Sequence, residues 1–404
     1  MPKPPKPFPK RMAPIFYGDS ETEREALQPR APGVYLDWPE DDYHADEALS
    51  NSNLRRLMIG PAAFWVGTNW NPDKAPEDEK SDALVIGDAY HKRVNEGPEV
   101  FAKTYAVAPD PADYPGALMK GDEFKAAIKA LNEAKGTKIK VSGTNAELCA
   151  ALREAGYEGP LWPEIIAKWE DENAGAVKIT PADMRKINLA AAILHALPDV
   201  GDVWTRGHPE VSVSWINRQG VPMRTRMDRW WPGTVFEFKT TANQMRQPFD
   251  VAAVRTMVGE YYHVQAVIHR EGAEAALMMP DDMWHGFTPE QIAALKGGGI
   301  PDVRFLFIGK SAPDICQRVL APNVPLDYAF HEDGRPVIDV PRTESELWKS
   351  AENIYFQMCA RFTHYFSMFG KSPWYNAKPA IGLRDTEPGM TSFALSRDAD
   401  FKDE

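Results

Sequence analysis

Arg226-Met227-Asp228-Arg229-Trp230-Trp231-Pro232-Gly233-Thr234-Val235-Phe236-Glu237-Phe238-Lys239 reads as a β-hairpin closed on a Pro-Gly turn. Pro presets φ and Gly tolerates φ > 0, so Trp231-Pro-Gly-Thr234 has turn chemistry. The flanking segments alternate as strands do. In the second strand, over 234–240, the side-chain period of two puts Glu237 and Lys239 on one face and Phe236 and Phe238 on the other. Asp228, near the end of the first strand, reaches the same place as Glu237. Two carboxylates and one ammonium converging at a sheet end can hold a divalent cation and orient a water beside it. The same residues would equally make a solvated strand face or a surface ion pair, so the surrounding chain has to discriminate.

Strand texture surrounds this hairpin: 210–216 precedes it, 223–230 and 235–240 form it, and 275–279 and 303–308 follow. A helical stretch begins near Phe249, breaks at Gly259 and resumes over 260–269. The expected core is therefore α/β, in the order αβββαβ, with a mixed central sheet flanked by helices. Upstream, Ser50 or Ser52 caps a short helix that stops at Gly60-Pro61. Ala62-Ala-Phe-Trp65 opens another, and 83–91 runs on into 92–97 as a helix in which Gly87 and Ala89 permit close approach. From 109 to 200 the chain is charged and Ala-rich, with helical periodicity in 123–134, 145–155 and 181–197, and reads as an α-helical insertion without chemistry of its own.

Near the C-terminus, Thr343-x-x-Glu346 is a capping box. Leu347, Ala351, Ile354, Tyr355, Met358 and Phe362 then trace one apolar stripe at helical spacing, which reads as core packing. Gly370 ends that helix. The expected organisation is a Pro/Lys-rich tail and irregular lead-in over 1–48, the N-terminal helical part of the core domain over 49–108, and the insertion over 109–200. The core with its C-terminal helix occupies 201–370 and a tail 371–404. Internal repeats, a P-loop and G-x-G-x-x-G are absent.

A chain of 404 residues, 43% hydrophobic and 26% charged, has the composition of a globular protein with a large core. No run of 18 apolar residues occurs, so no membrane span is expected. Met1-Pro-Lys-Pro-Pro-Lys-Pro-Phe-Pro-Lys-Arg11 lacks the apolar centre of a signal peptide. Three scattered cysteines (Cys149, Cys316, Cys359) with no C-x-x-C argue for a reducing, cytoplasmic setting. They supply neither a zinc site nor the four thiolates of an iron–sulfur cluster. The net charge of −12 is unusual for a nucleic-acid binder. Residues 201–270, however, hold nine Lys and Arg against six Asp and Glu, a local balance of +3.

Several short motifs occur in a telling order: Leu49-Ser-Asn-Ser-Asn-Leu54 with Gly60-Pro61, Gly87-Asp-Ala-Tyr-His91, His208-Pro-Glu210-Val-Ser212, Arg226-Met-Asp228, Glu237-Phe-Lys239-Thr-Thr241, and Tyr262-His-Val-Gln265. In that order they resemble the PD-(D/E)XK nuclease superfamily, and within it the phage-type exodeoxyribonuclease VIII (RecE-like) family. The resemblance covers about 49–100 and 205–270, leaving out the insertion and both tails. It implies that Asp228 and Glu237 bind the metal, with the carbonyl of Phe238 as a further ligand, and that Lys239 orients or activates the attacking water. It implies an imidazole ligand from His91, and a role for Glu210 through a second metal or a water. Tyr262 and Gln265, three apart on one helical face, would line the DNA path together with Arg226.

The chain departs from the family in three ways. Glu237 stands where many relatives in this branch carry Asp, the 109–200 segment is long, and the cysteine ligands of the iron–sulfur-containing relatives are missing. Each residue also has a plainer reading. His91 could be packed or solvated, Glu210 could face solvent, and Tyr262 and Gln265 could simply pack. His208, His263 and His269 read as ordinary, and Trp230 and Trp231 read as hairpin packing in preference to base stacking.

The implied chemistry is Mg²⁺-dependent phosphodiester hydrolysis, with Mn²⁺ able to substitute if His91 coordinates. The implied substrate is the double-stranded DNA end, degraded 5′ to 3′ to leave a 3′ single strand for a single-strand annealing protein in recombination. A homo-oligomeric ring would suit a processive enzyme of this kind. Two rivals remain at this point: a repair or structure-specific endonuclease on the same fold, and a DNA-binding or assembly protein with a degenerate site.

Overall fold

The computed structural model describes residues 26–74, 82–197, 203–243, 245–310, 315–320 and 344–375. These residues form two compact units. One takes its residues from 26–74, 203–309, 315–320 and 344–375, and the other from 82–197 with Lys310. The capping box at Thr343 and most of both expected tails lie outside the described residues.

In chain order, the first unit opens with strand β1 (Gly33–Tyr35) and helices α1 (Glu40–Ala45), α2 (Asn51–Ile59) and α3 (Pro61–Val66). The second unit holds helices α4 (Asp82–His91) and α5 (Pro98–Thr104), strand β2 (Tyr105–Val107), helices α6 (Gly121–Lys135), α7 (Asn145–Glu154) and α8 (Trp162–Glu172), strand β3 (Val177–Ile179) and helix α9 (Pro181–Ala196). The first unit resumes with α10 (Val203–Arg206), the strands β4 (His208–Ile216), β5 (Pro222–Trp231) and β6 (Thr234–Thr241), and helices α11 (Phe249–Gly259) and α12 (Tyr262–Met278). Strand β7 (Trp284–His285), helix α13 (Pro289–Gly297), strands β8 (Asp302–Gly309) and β9 (Ile315–Leu320), and helix α14 (Glu344–Phe369) complete it.

The first unit is α/β, built on a mixed sheet of seven strands in the order β7-β1-β4-β5-β6-β8-β9. β4, β5 and β6 form an antiparallel meander, β6 pairs with β8 in parallel along its whole length, and β9 runs antiparallel to β8. The β5–β6 connection is the two-residue Pro232-Gly233 turn read from the sequence, with Gly233 at φ 77°. The parallel step from β6 to β8 needs a long crossover, and α11, α12 and α13 supply it.

Both faces of the sheet are covered, so β8 reads as a continuous apolar run. Phe305, Leu306, Phe307 and Ile308 are all fully buried. Phe305 and Phe307 share one face and pack against Tyr262 of α12, the first stacked and the second tilted, at 6.2 and 6.3 Å between ring centroids. Truncating either phenylalanine to Ala would cost about 3–5 kcal/mol through lost burial and the cavity left behind. On α14, Ala351, Tyr355, Met358 and Phe362 are buried, with Leu347 and Ile354 packed beside them, as the apolar stripe predicts. Gly370 ends that helix at φ 55°, and Ser50 caps α2 in a capping box with Asn53.

Two readings are corrected. Residues 275–279, expected as a strand, belong mostly to α12, whose hydrogen-bonded turns run on to Met278. The lead-in expected to be irregular contributes β1, which pairs with β4, and the short helix α1. Trp230 is wholly buried beside Trp284 and Trp231 ends β5 partly buried, as the hairpin-packing reading of the two tryptophans expects.

The second unit is mainly helical, as the insertion predicts, but it also carries β2 and β3 paired in parallel and a helix, α8, that the periodicity did not reveal. Its core includes Phe124, Ile128, Leu148, Leu152 and Leu161. The boundary read at 109 falls inside this unit, because β2 pairs with β3 and α9 packs against α4. No helix among the described residues is long and apolar enough to cross a membrane.

Candidate active site

Backbone pairing between β5 and β6 covers Arg229↔Phe236, Trp230↔Val235 and Trp231↔Thr234, and then stops at Asp228 and Glu237. Buried backbone donors need acceptors, and beyond this point the two carboxylates provide them. The Phe238 N–H donates to Asp228 Oδ2 at 2.6 Å, and the Asp228 N–H donates to Glu237 Oε1 at 3.1 Å. Asp228 and Glu237 are thus fixed at the mouth of the split between two strands, each tied to the other's strand.

Lys239 bridges them. Its Nζ lies 2.8 Å from Glu237 Oε2 and 3.7 Å from Asp228 Oδ2, with the side chains 15%, 0% and 13% exposed. Burial alone would lower the Lys239 pKa, but the charges of Asp228 and Glu237 outweigh it and hold the ammonium well above its ordinary range. Burial and the Asp228 charge push Glu237 up, yet His269 and Lys239 prevail and keep its carboxyl ionised below its usual value. The expected convergence of two acids and an amine is present.

Glu210 adds a third acid. It faces Asp228 across the β4–β5 ladder, between the paired positions Pro209↔Arg229 and Val211↔Met227, and a carboxylate oxygen of each lies within 4.8 Å of the other. Its backbone is left-handed, at φ 53°. For a residue other than glycine that conformation costs about 1–3 kcal/mol, and it persists where the surroundings over-determine it. Two like charges so close repel each other unless positive charge neutralises them.

Helix α12 brings up the rest. Gln265 Nε2 donates to Glu237 Oε2 at 2.9 Å. The Tyr262 ring lies over Lys239, with Nζ 5.2 Å from its centroid. Both residues therefore touch the cluster. Arg226 sits farther back on β5: its guanidinium donates to Ser212 Oγ at 2.9 Å and to the Trp38 carbonyl, and lies 4.2 Å from the Tyr43 ring centroid. Together with Arg55 it still borders the cleft of about 360 Å³ onto which Lys239, Tyr262, Gln265 and His269 open.

The sequence reading took His269 as ordinary and passed over Thr225, and the structure corrects both. His269 Nε2 lies 2.9 Å from Glu237 Oε1, and Thr225 Oγ1 lies 2.6 Å from His269 Nδ1. The available signal was the spacing of Gln265 and His269, four apart on one helical face. His263, by contrast, is buried with Nδ1 3.3 Å from the Met257 carbonyl oxygen, and is ordinary as expected.

His91 belongs to the other unit, where it is the last residue of α4. A π-helical turn, Lys92–Glu96, follows it directly, and such turns recur at functional positions.

The donor set of Asp228, Glu210 and Glu237 is all hard oxygen, which suits Mg²⁺, Mn²⁺ or Ca²⁺ and not a soft metal. The close Asp228–Glu210 pair fits a divalent cation by charge. Glu237 already accepts from Asp228 N–H, Lys239 and Gln265 and faces His269, so one of these contacts must turn aside for it to ligate. The flexible Lys239 stem is the one built to move. The chain matches no protein-family model and no curated protein.

Proposed function

We propose that this chain is a metal-dependent DNA exonuclease on a PD-(D/E)XK-type core, of the RecE-like kind, acting at double-stranded ends. The observation that carries this reading is the Asp228–Glu237–Lys239 cluster at the split between β5 and β6, with Glu210 beside it. The resemblance of the ordered motifs supplies the polarity, 5′ to 3′, and the downstream user of the 3′ strand, a single-strand annealing protein.

In this mechanism Asp228 and Glu237 would hold Mg²⁺, with Glu210 as the acid nearest Asp228. When bound, the cation supplies positive charge against the phosphate and lowers the pKa of water beside it. Lys239, kept protonated by its two carboxylates, places a positive charge where the attacking oxygen and the pentacoordinate phosphorus develop negative charge. Gln265 and Tyr262, on the cleft side of the cluster, orient the strand. Arg55 and Arg226 draw its phosphates into the cleft.

The test is digestion of linear and covalently closed duplex by the purified protein, with Mg²⁺ or with EDTA. An exonuclease degrades only the linear form and only with metal. Cutting of closed circles would assign the site to an endonuclease instead. Salt-sensitive DNA binding without metal-dependent product would mark a degenerate binding protein. Asp228→Ala, Glu237→Ala and Lys239→Ala should each abolish cleavage while leaving the circular dichroism spectrum unchanged.

A further inference from the structure

We propose that His269 is a positioning residue for the metal ligand Glu237, and that the Thr225 hydroxyl sets the imidazole tautomer that lets it act. The inference deepens the nuclease reading and rests on it for the role of Glu237. His269 is 1% exposed, so both ring nitrogens must find partners inside the protein. Nε2 has two neighbours at 2.9 Å, Glu237 Oε1 and Gln265 Nε2, and Nδ1 has one, Thr225 Oγ1 at 2.6 Å.

Chemistry selects one arrangement. The Gln265 amide nitrogen carries two N–H donors and no lone pair, so it can accept nothing from Nε2; one of its hydrogens donates to Glu237 Oε2 at 2.9 Å. A lone pair on Nε2 would face the lone pairs of Glu237 Oε1. In the neutral ring Nε2 therefore carries the proton and donates it to Glu237 Oε1, which leaves Nδ1 to accept from the Thr225 hydroxyl. The result is a buried chain, Thr225–His269–Glu237, that fixes the plane of the carboxylate, with Oε2 turned to Lys239 and Gln265. Partners that orient a ligating carboxylate in this way are worth about 10–100-fold in metal affinity.

The packing of α12 on β5 is shaped to make this contact. One turn after His269, Gly272 brings the helix so close that an added Cβ would lie 3.0 Å from both Thr225 Cγ2 and Trp215. The glycine therefore holds the helix at the separation that brings His269 onto Thr225. Although it borders the cleft, His269 is all but buried and its hydrogen-bonding neighbours are Thr225, Glu237 and Gln265, so it acts through Glu237 and not on substrate.

The experiment is cation binding to the full chain without DNA, measured by Mn²⁺ electron paramagnetic resonance and Mg²⁺ calorimetry, alongside cleavage across a Mg²⁺ titration. His269→Ala should weaken binding about 10–100-fold, and Thr225→Val, which keeps the shape but removes the hydroxyl, about 3–10-fold. Thr225→Ser should recover most of what Thr225→Val loses. Cleavage by His269→Ala should regain most of its rate at saturating Mg²⁺, which loss of a proton-transfer group would not permit. Wild-type affinity in Thr225→Val or in a folded His269→Ala would overturn the positioning role while leaving the nuclease reading intact. Failure of the wild-type chain to bind either cation would overturn both.

Discussion

Replacing Lys239 with Met tests how the site is held together before any metal arrives. The ammonium lies 2.8 Å from Glu237 Oε2 and 3.7 Å from Asp228 Oδ2. At an effective dielectric of about 20 these contacts are worth roughly 6 and 4 kcal/mol before the cost of burying the ions. Desolvation takes back much of that. What remains measurable is the penalty for leaving carboxylates without their counter-charge, about 3–5 kcal/mol for a buried pair that loses one partner. Lys239→Met should therefore lower stability by that amount in EDTA. The loss should be greatest at neutral and alkaline pH, where neither acid can be neutralised by a proton. Mg²⁺ replaces the missing positive charge, and at about 100 times its dissociation constant it should return roughly 3 kcal/mol. It should not restore cleavage, which stays down by about 10²–10³-fold for want of a transition-state charge. Urea unfolding followed by tryptophan fluorescence, in EDTA and in saturating Mg²⁺, reads both effects. A variant as stable as the wild type in EDTA would refute the electrostatic account of the cluster.

Other predictions follow from the same elements. Gly272→Ala forces a methyl group against Trp215 and Thr225, and thermal unfolding should show a loss of about 1–3 kcal/mol from overpacking; an unchanged melting temperature would mean that α12 has room to shift. Burial lowers the His263 pKa from 6.5 to about 4, so between these values the unfolded chain binds the proton and the folded chain does not. Stability should fall by up to about 3 kcal/mol as pH drops through that window and level off below it. A His263→Leu variant should lose this part of the acid limb, and an acid limb identical to the wild type would remove His263 as its source.

The β5–β6 hairpin and its three charged residues were readable because a Pro-Gly turn and strict alternation are local signals, and register follows from them once the turn is placed. What alternation cannot show is that the two strands part company at Asp228 and Glu237, since that depends on what packs on either side. Glu237 sits on a face that alternation alone would leave half-solvated, and it is fully buried because α12 covers it. The misreading of 275–279 has a similar cause. Ala-Ala-Leu-Met-Met is apolar on all sides, and a helix as deeply buried as α12 need not show a polar stripe. β1 and β7 span three and two residues, too short for any pattern to register. His269 carried a legible spacing from Gln265, but its role depends on Thr225, 44 residues away on β5, and only the folded chain brings them together.

The most direct measurement is the digestion of linear duplex DNA, labelled at its 5′ or 3′ end, by the purified full chain and by Asp228→Asn. With Mg²⁺, the wild-type chain should release 5′-labelled mononucleotides first while the 3′ label stays on long strands, and EDTA or Asp228→Asn should stop the reaction. Intact duplex in the presence of Mg²⁺, or digestion that proceeds equally in EDTA, would contradict the account.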